Sequence, residues 1–316
     1  MRIPFSIPAP GAKPFDIVGF GLNSVDLVAV LAEHPSPNSK QRLQRFARLP
    51  GGQVATAMVT CARFGFKTSY VGSFGGEELG TLSRASLVEA GVDVAGARTI
   101  AGATNQFAMI LVDARSGDRT VLWDRDPALA TDPATLPREL ITSGRMLLVD
   151  CHETTAAAQA ARWAREAGVA TISDIERVRP GISDLLQNLD AIIMAQEFPG
   201  ALTGHEELGH SLRAIAREFD APLVCVTLGS EGSLAVCHGR EIRTKGFPVD
   251  CVDTTGAGDA FRGAFAAACM RKPPDDLEGV LAYANAVAAL NCRALGARGG
   301  LPTQDEVDQL LARSPM

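Results

Sequence analysis

Aromatic residues are scarce in this 316-residue chain, at 5%, whereas Ala and Gly are abundant, so the sequence predicts helices seated closely on a sheet. Paired cysteines are missing. The seven present are odd in number and form no C-x-x-C, which excludes a disulfide scaffold and fits reduced thiols in the cytosol. Excess positive charge is missing as well: the net charge is −6 and the pI near 5.5, against a dedicated nucleic-acid binder. Thirty Lys and Arg still leave room for a local anion site. No apolar run is long, since the longest, 264–270, falls far short of the roughly 18 residues a membrane span requires. Pro4, Pro8 and Pro10 interrupt the N-terminus, so no signal-peptide core forms there. The remaining composition, 46% apolar and 21% charged, excludes disorder, a collagen-like fibre and a coiled coil. The expectation is a soluble, cytoplasmic, globular protein with neither a membrane nor a nucleic acid as partner.

Several chemical signatures are absent too. His205-Glu206-Glu207-Leu208-Gly209-His210 resembles a zinc-protease helix, but its histidines lie five apart rather than four. That spacing turns them about 140° from each other around a helix. Gly19-Phe20-Gly21 begins a dinucleotide fingerprint whose third glycine position is Ser24. Neither a Walker-type G-x-x-x-x-G-K-[ST] nor a G-x-S-x-G elbow occurs.

What is present is one α/β domain over 15–316, after a Pro-rich segment, 1–14, that is expected to be a loose tail. Strands are predicted at 16–21, 25–32 and 42–48, then a helix after the Gly51-Gly52 breaker with Val54, Met58, Cys61 and Ala62 on one face. A strand at 68–73 and a helix at 79–90 follow. The β-rich runs 106–113 and 119–123 form a hairpin through Ser116-Gly117-Asp118. From 146 onward, strands at 146–150, 170–173, 191–194 and 222–227 alternate with helices at about 155–167, 181–187 and 206–219. Such alternation predicts a parallel sheet covered on both faces. A hairpin at 233–243 and helices at 257–271, 275–294 and 303–312 complete the chain. The strands within 25–48 and 105–124 do not alternate with helices. They are expected to form a small antiparallel lid outside the main sheet, with a place at its edge as the alternative.

The segment Asp253-Thr254-Thr255-Gly256-Ala257-Gly258-Asp259-Ala260-Phe261 carries the chemistry. It follows a strand-like stretch and opens a helix, where unpaired N–H groups and the positive dipole end make an anion site. An acid in the first turn can then face a second ligand, the geometry that phosphoryl transfer wants. An Asp there also serves as an ordinary cap, so the motif alone leaves both readings open. A helix N-terminus moreover lowers the pKa of an Asp and weakens it as a base.

DTTGAGDAFRGAF (253–265) resembles the second signature of the ribokinase family, also called the phosphofructokinase B family of carbohydrate kinases. LPGGQVATAMVTCARFG (49–65), VGSFGGEELG (71–80) and TLGSEGSLAV (227–236) resemble its other motifs, in the same order, over roughly 15–312. The resemblance implies a three-layer α/β/α sandwich with a mostly parallel central sheet and a β lid that mediates a homodimer. It implies ATP and Mg2+ as cofactors, with K+ as a further candidate, and a small sugar as substrate. Asp259 matches the catalytic base, and the backbone of Gly256, Ala257 and Gly258 the anion hole. Asp26 matches the acid that binds sugar hydroxyls; the bland alternative is a surface acid on a strand. Gly51 and Gly52 match the sugar-binding diglycine and lid hinge. Thr227, Gly229 and Gly232 match the nucleotide loop, and Asn285 a position facing adenine or, alternatively, one that braces a buried loop.

The chain also departs from the family pattern. The sugar-contacting Asn of G-G-x-x-x-N is Thr56, with Gln53 after the glycines, and the metal-organising N-x-x-E reads Gln196-Glu197-Phe198-Pro199. Glu197 is therefore the candidate for magnesium, acting through water, and Asp253 with Thr255 the candidate for a monovalent cation. RTVLWDRDPAL (119–129), DIERVRP (174–180) and MAQEFPGALTG (194–204) look closest to ketohexokinase-like and sulfofructose kinase-like members. That likeness favours a ketose, with Arg125 or Arg177 meeting an acidic group. The alternatives are a nucleoside kinase, disfavoured because the lid has few aromatics, Phe107 and Trp123 among them, and a catalytically silent binding protein.

Overall fold

The apolar runs assemble into one eight-stranded sheet in the computed structural model, which describes residues 1–115, 119–271 and 276–313. Its spatial order is Arg240–Thr244, Ser233–Cys237, Leu223–Thr227, Ala191–Ala195, Ala170–Asp174, Gly144–Asp150, Phe15–Phe20 and Thr68–Val71. The last six run parallel and the first two form an antiparallel edge. Side chains alternate between two cores: Met146 and Leu148 enter one, Leu147 and Val149 the other. A strand covered on both faces has no polar side, which is why these segments read as unbroken apolar runs. Helices Gln53–Arg63, Ala257–Met270 and Leu277–Asn291 fill the first side. Helices Thr154–Glu166, Ile182–Leu186 and Leu208–Glu218 fill the second, completing the three layers. Among the described residues no helix is long and apolar enough to cross a membrane.

A separate four-stranded sheet has the order Arg45–Gly51, Ser24–Leu31, Phe107–Asp113, Arg119–Asp124. It is the expected lid, not an edge of the main sheet, but it is mixed rather than antiparallel. Ser24–Leu31 and Phe107–Asp113 pair in parallel. The long connection between them contains the helix Glu78–Glu89, and such a crossover delivers a parallel strand where a hairpin cannot. The lid's inner face places Leu49, Asp26, Ala108 and Trp123 in one row. The turn expected at Ser116-Gly117-Asp118 lies outside the described residues, as does position 275, the expected start of the penultimate helix.

Two local expectations change, and one helix appears that was not expected. The strand expected at 68–73 breaks at Gly72, and Ser73–Gly75 pairs instead with Arg98–Ile100. The helix Phe198–Thr203 forms although it contains a proline, because Pro199 occupies its first turn, where no N–H is needed. Residues 1–14 contain no helix or strand but are not a loose tail. Met1, Ile3, Phe5 and Ile7 pack on the main core, and Arg145 Nε donates to the Pro8 carbonyl at 2.7 Å.

Candidate active site

The parallel strands end on one rim, the place where open α/β sheets hold ligands. There the helix Ala257–Met270 begins. Its preceding residue, Gly256, has φ +73°, and a Cβ on it would lie 2.4 Å from the Ala297 carbonyl oxygen, so only glycine fits. The anion hole differs in detail from the expectation. The Ala257 N–H donates to the Thr254 carbonyl at 3.2 Å, whereas Gly258 and Asp259 have no backbone acceptor for theirs among the described residues. No side chain caps the helix. The N–H groups of 258 and 259 are thus free to meet an anion, with Gly256 supplying the turn.

The carboxyl of Asp259 is held well above the ordinary range, chiefly by burial and then by Asp174, Glu176 and Asp26, with Arg262 opposing. The helix dipole alone would weaken this base; burial and neighbouring carboxylates outweigh it. Beneath Asp259, Arg262 Nε lies 3.0 Å from Asp174 Oδ1, with both side chains buried. Arg262 Nη2 and Asp174 Oδ2 have no hydrogen-bond partner. Arg262 Nη1 lies 2.5 Å from where a Cβ of Gly258 would stand, so the guanidinium fills the space behind the anion hole. Gln53, expected to meet the sugar, is buried with its side chain against Asp174.

Asp26 faces this cleft from the lid. Ser24 Oγ donates to Asp26 Oδ1 at 3.2 Å, and burial raises the carboxyl to about 6 despite that bond and nearby Arg298. A Cβ on Gly51 would stand 2.5 Å from Asp26 Oδ2, so this glycine lets the carboxylate lie against the backbone. Gly52 has φ +92° and precedes the helix Gln53–Arg63. Thr56 is fully buried and accepts from Arg298 Nε at 3.2 Å. Arg298 and Asp174 escape sequence reasoning. One lies outside the quoted motifs, and the other opens the DIERVRP segment, where only Arg177 is singled out. Asp150 escapes as well: its carboxylate accepts from the N–H of Leu22 at 2.6 Å and of His152 at 2.9 Å, and burial raises it to about 7.

On the other side of the anion hole lies a groove of ≈ 410 Å³ lined by Gly229, Phe247, Val249, Thr254, Ala257 and Asn285, among others. Asn285 reaches the groove but its Nδ2 already donates to Ser233 Oγ at 3.0 Å, so it also braces the edge hairpin. Thr227 ends its strand, and Gly232, with φ +95°, turns the chain into the next one. Glu197 is exposed at the end of the Ala191–Ala195 strand. Asp253 accepts from the Thr255 N–H at 2.9 Å, Thr255 Oγ1 at 2.7 Å and the Gly296 N–H at 2.8 Å. Both of its oxygens are therefore occupied in stapling the anion-hole loop to the 296 turn. Arg125 is paired with Glu153, and Arg177 is exposed.

The model of the pfkB family carbohydrate kinase matches residues 15–304. The ATP-dependent ribose-1-phosphate kinase of Halopiger xanaduensis is 30% identical over 280 residues, covering 88% of this chain and 92% of that protein. Fructokinase-1 of Oryza sativa subsp. japonica is 28% identical over 323 residues, covering 93% and 97%. The structure of Arabidopsis thaliana ribokinase complexed with ribose and ATP superposes with a TM-score of 0.79 at 25% identity, covering 95% and 99%. The chain belongs to the pfkB carbohydrate kinase family and is an ATP-dependent kinase.

Proposed function

We propose that this enzyme transfers the γ-phosphoryl group of ATP to a hydroxyl, a primary one, of a small sugar or sugar acid. The observation that carries this reading is Asp259 beside the free N–H groups of 258 and 259, with Asp26 facing it from the lid. The N–H groups stabilise charge on the migrating phosphoryl group, and Asp259 orients the acceptor hydroxyl and takes its proton late in the transfer. ATP suits the groove lined by Gly229, Ala257 and Asn285, which runs up to the anion hole. Among the described residues no three His, Cys, Asp or Glu gather around a metal position. Mg2+ then belongs to the nucleotide phosphates and water, with Glu197 the carboxylate that can reach its water shell. A monovalent cation is not part of the proposal, because the oxygens of Asp253 are already occupied.

A nucleoside acceptor is the second reading. Trp123, half exposed on the lid's inner face in the same row as Asp26, is the residue that favours it. ATP consumption with a panel of sugars and nucleosides separates the two. With the substrate so found, Asp26→Ala should raise its KM roughly ten- to a hundredfold per hydrogen bond lost while leaving KM for ATP nearly unchanged. Equal weakening toward both ligands would remove Asp26 from the sugar site.

The lid closes over the sugar on the Gly51–Gly52 hinge and keeps water from competing as acceptor. Amide exchange should slow in Ser24–Leu31, Arg45–Gly51, Phe107–Asp113 and Arg119–Asp124 when sugar is added, and change little in 146–227. ATP hydrolysis without sugar should be slow. Uniform protection, or sugar-free hydrolysis at the coupled rate, would remove the lid from the mechanism. The lid's outer face carries exposed Phe46, Met109 and Leu122, an apolar patch that suits a homodimer formed through the lid.

A further inference from the structure

Arg298 approaches the sugar cleft from the far end of the chain, close enough to Asp26 and Asp259 for their charges to act on it. Its Nε donates to Thr56 Oγ1 at 3.2 Å, Nη1 to Ser86 Oγ at 3.1 Å and Nη2 to the Gly51 carbonyl at 2.8 Å. All three acceptors are neutral. A guanidinium carries five N–H bonds in one plane, so Nη1 and Nη2 each keep one to offer. Three-point anchoring holds that plane still, and a side chain fixed before binding loses little freedom when a ligand arrives.

Thr56 contributes twice. It is shorter than an amide side chain, which leaves room for the guanidinium, and its hydroxyl orients Nε. Burial lowers the pKa of Arg298 to about 10, which still leaves it cationic at neutral pH. No direct ion pair neutralises it among the described residues. The cleft also holds the carboxylates of Asp26 and Asp259, which repel an anionic ligand unless a fixed cation meets it.

We propose that the acceptor sugar carries an anionic group, a carboxylate, phosphate or sulfonate, and that Arg298 is the specificity-determining residue that reads it. Two oxygens of such a group match the two remaining N–H bonds of the guanidinium, a match that a single sugar hydroxyl does not provide. The inference rests on the sugar-kinase reading above and narrows its substrate class.

The test measures ATP consumption by the wild-type enzyme with matched pairs: ribose and ribose 1-phosphate, fructose and fructose 6-phosphate, glucose and gluconate. At least one anionic member should exceed its neutral partner in kcat/KM by about tenfold or more, the scale of a charge-assisted hydrogen bond. Arg298→Gln should collapse that ratio by a similar factor, through KM more than kcat, and Arg298→Lys should retain part of it. A wild-type preference for the neutral member of every active pair would overturn the inference while leaving the kinase reading in place. So would an equal loss toward both members in Arg298→Gln, which would make Arg298 a brace for Gly51 alone. Inactivity with every sugar would overturn the sugar-kinase reading, and this inference with it.

Discussion

Asp259→Asn should fold like the parent protein and lose roughly 10²–10⁴-fold in turnover, the range for a positioned acid or base. That loss corresponds to about 3–5 kcal/mol of barrier. Folding survives because Asn has nearly the same shape and removes a charge that burial already disfavours. The free N–H groups of 258 and 259 stay in place, so KM for ATP should change little. A companion effect appears in the pH profile. The base must be ionised to accept the proton, and its pKa is raised by burial and by Asp174, Glu176 and Asp26. On acidification kcat/KM should therefore fall at a pH above the roughly 4 of a free aspartate. Single-turnover rates and a melting curve for the variant check the first claim, and the wild-type profile checks the second. Near-parental turnover would reduce Asp259 to a helix cap.

Breaking the Arg262–Asp174 pair should move that acid limb in opposite directions according to which partner is removed. Asp174→Asn deletes a negative charge near Asp259, which eases its ionisation and shifts the limb to lower pH. Arg262→Met deletes the opposing cation and shifts the limb to higher pH. Either change strands a buried partner, since Arg262 is 3% and Asp174 1% exposed, and costs about 3–5 kcal/mol of stability. Denaturant melts should therefore show both variants weaker than the parent. If Arg262→Met is too unstable to assay, the profile of Asp174→Asn alone decides. Limbs that stay put, or move the same way in both, would show that the pair supports the helix without setting the ionisation of Asp259. The buried position behind Gly258 makes the coupling expected: Arg262 Nη1 fills the space a side chain there would take.

Much of this protein is legible in local pattern. The apolar strands from 146 to 227 are continuous because both faces are covered, and continuity is visible in the chain itself. The helix at 257 announces its start through Gly256 and its role through Asp259, since backbone permissiveness and a first-turn acid are local properties. Gly51 and Gly52 declare a tight approach for the same reason, and the structure supplies the atoms they approach, Asp26 and Asn23. What the chain does not declare are properties of pairs far apart in it. The lid's central strands pair in parallel because of where a crossover lands, and no turn residue between them records that outcome.

The ionisation of Asp259 reverses the local expectation because burial, and then Asp174, Glu176 and Asp26 brought from distant parts of the chain, disfavour its charge. Helix-dipole reasoning uses only the residue's own helix. The Ala257 N–H is spent on one hydrogen bond with Thr254, a detail of loop closure that a glycine pattern does not encode. Arg298 is the clearest case. It lies 242 residues from Thr56 and 247 from Gly51, and it enters their cleft only once the sheet, the lid and the C-terminal helices have packed. Sequence alone therefore determined the fold class, the glycine-opened helix start and the acid in its first turn, because those follow from local pattern. The tertiary structure alone decided which charges surround that acid and which cation stands at the cleft, because electrostatic partners are chosen by distance in space.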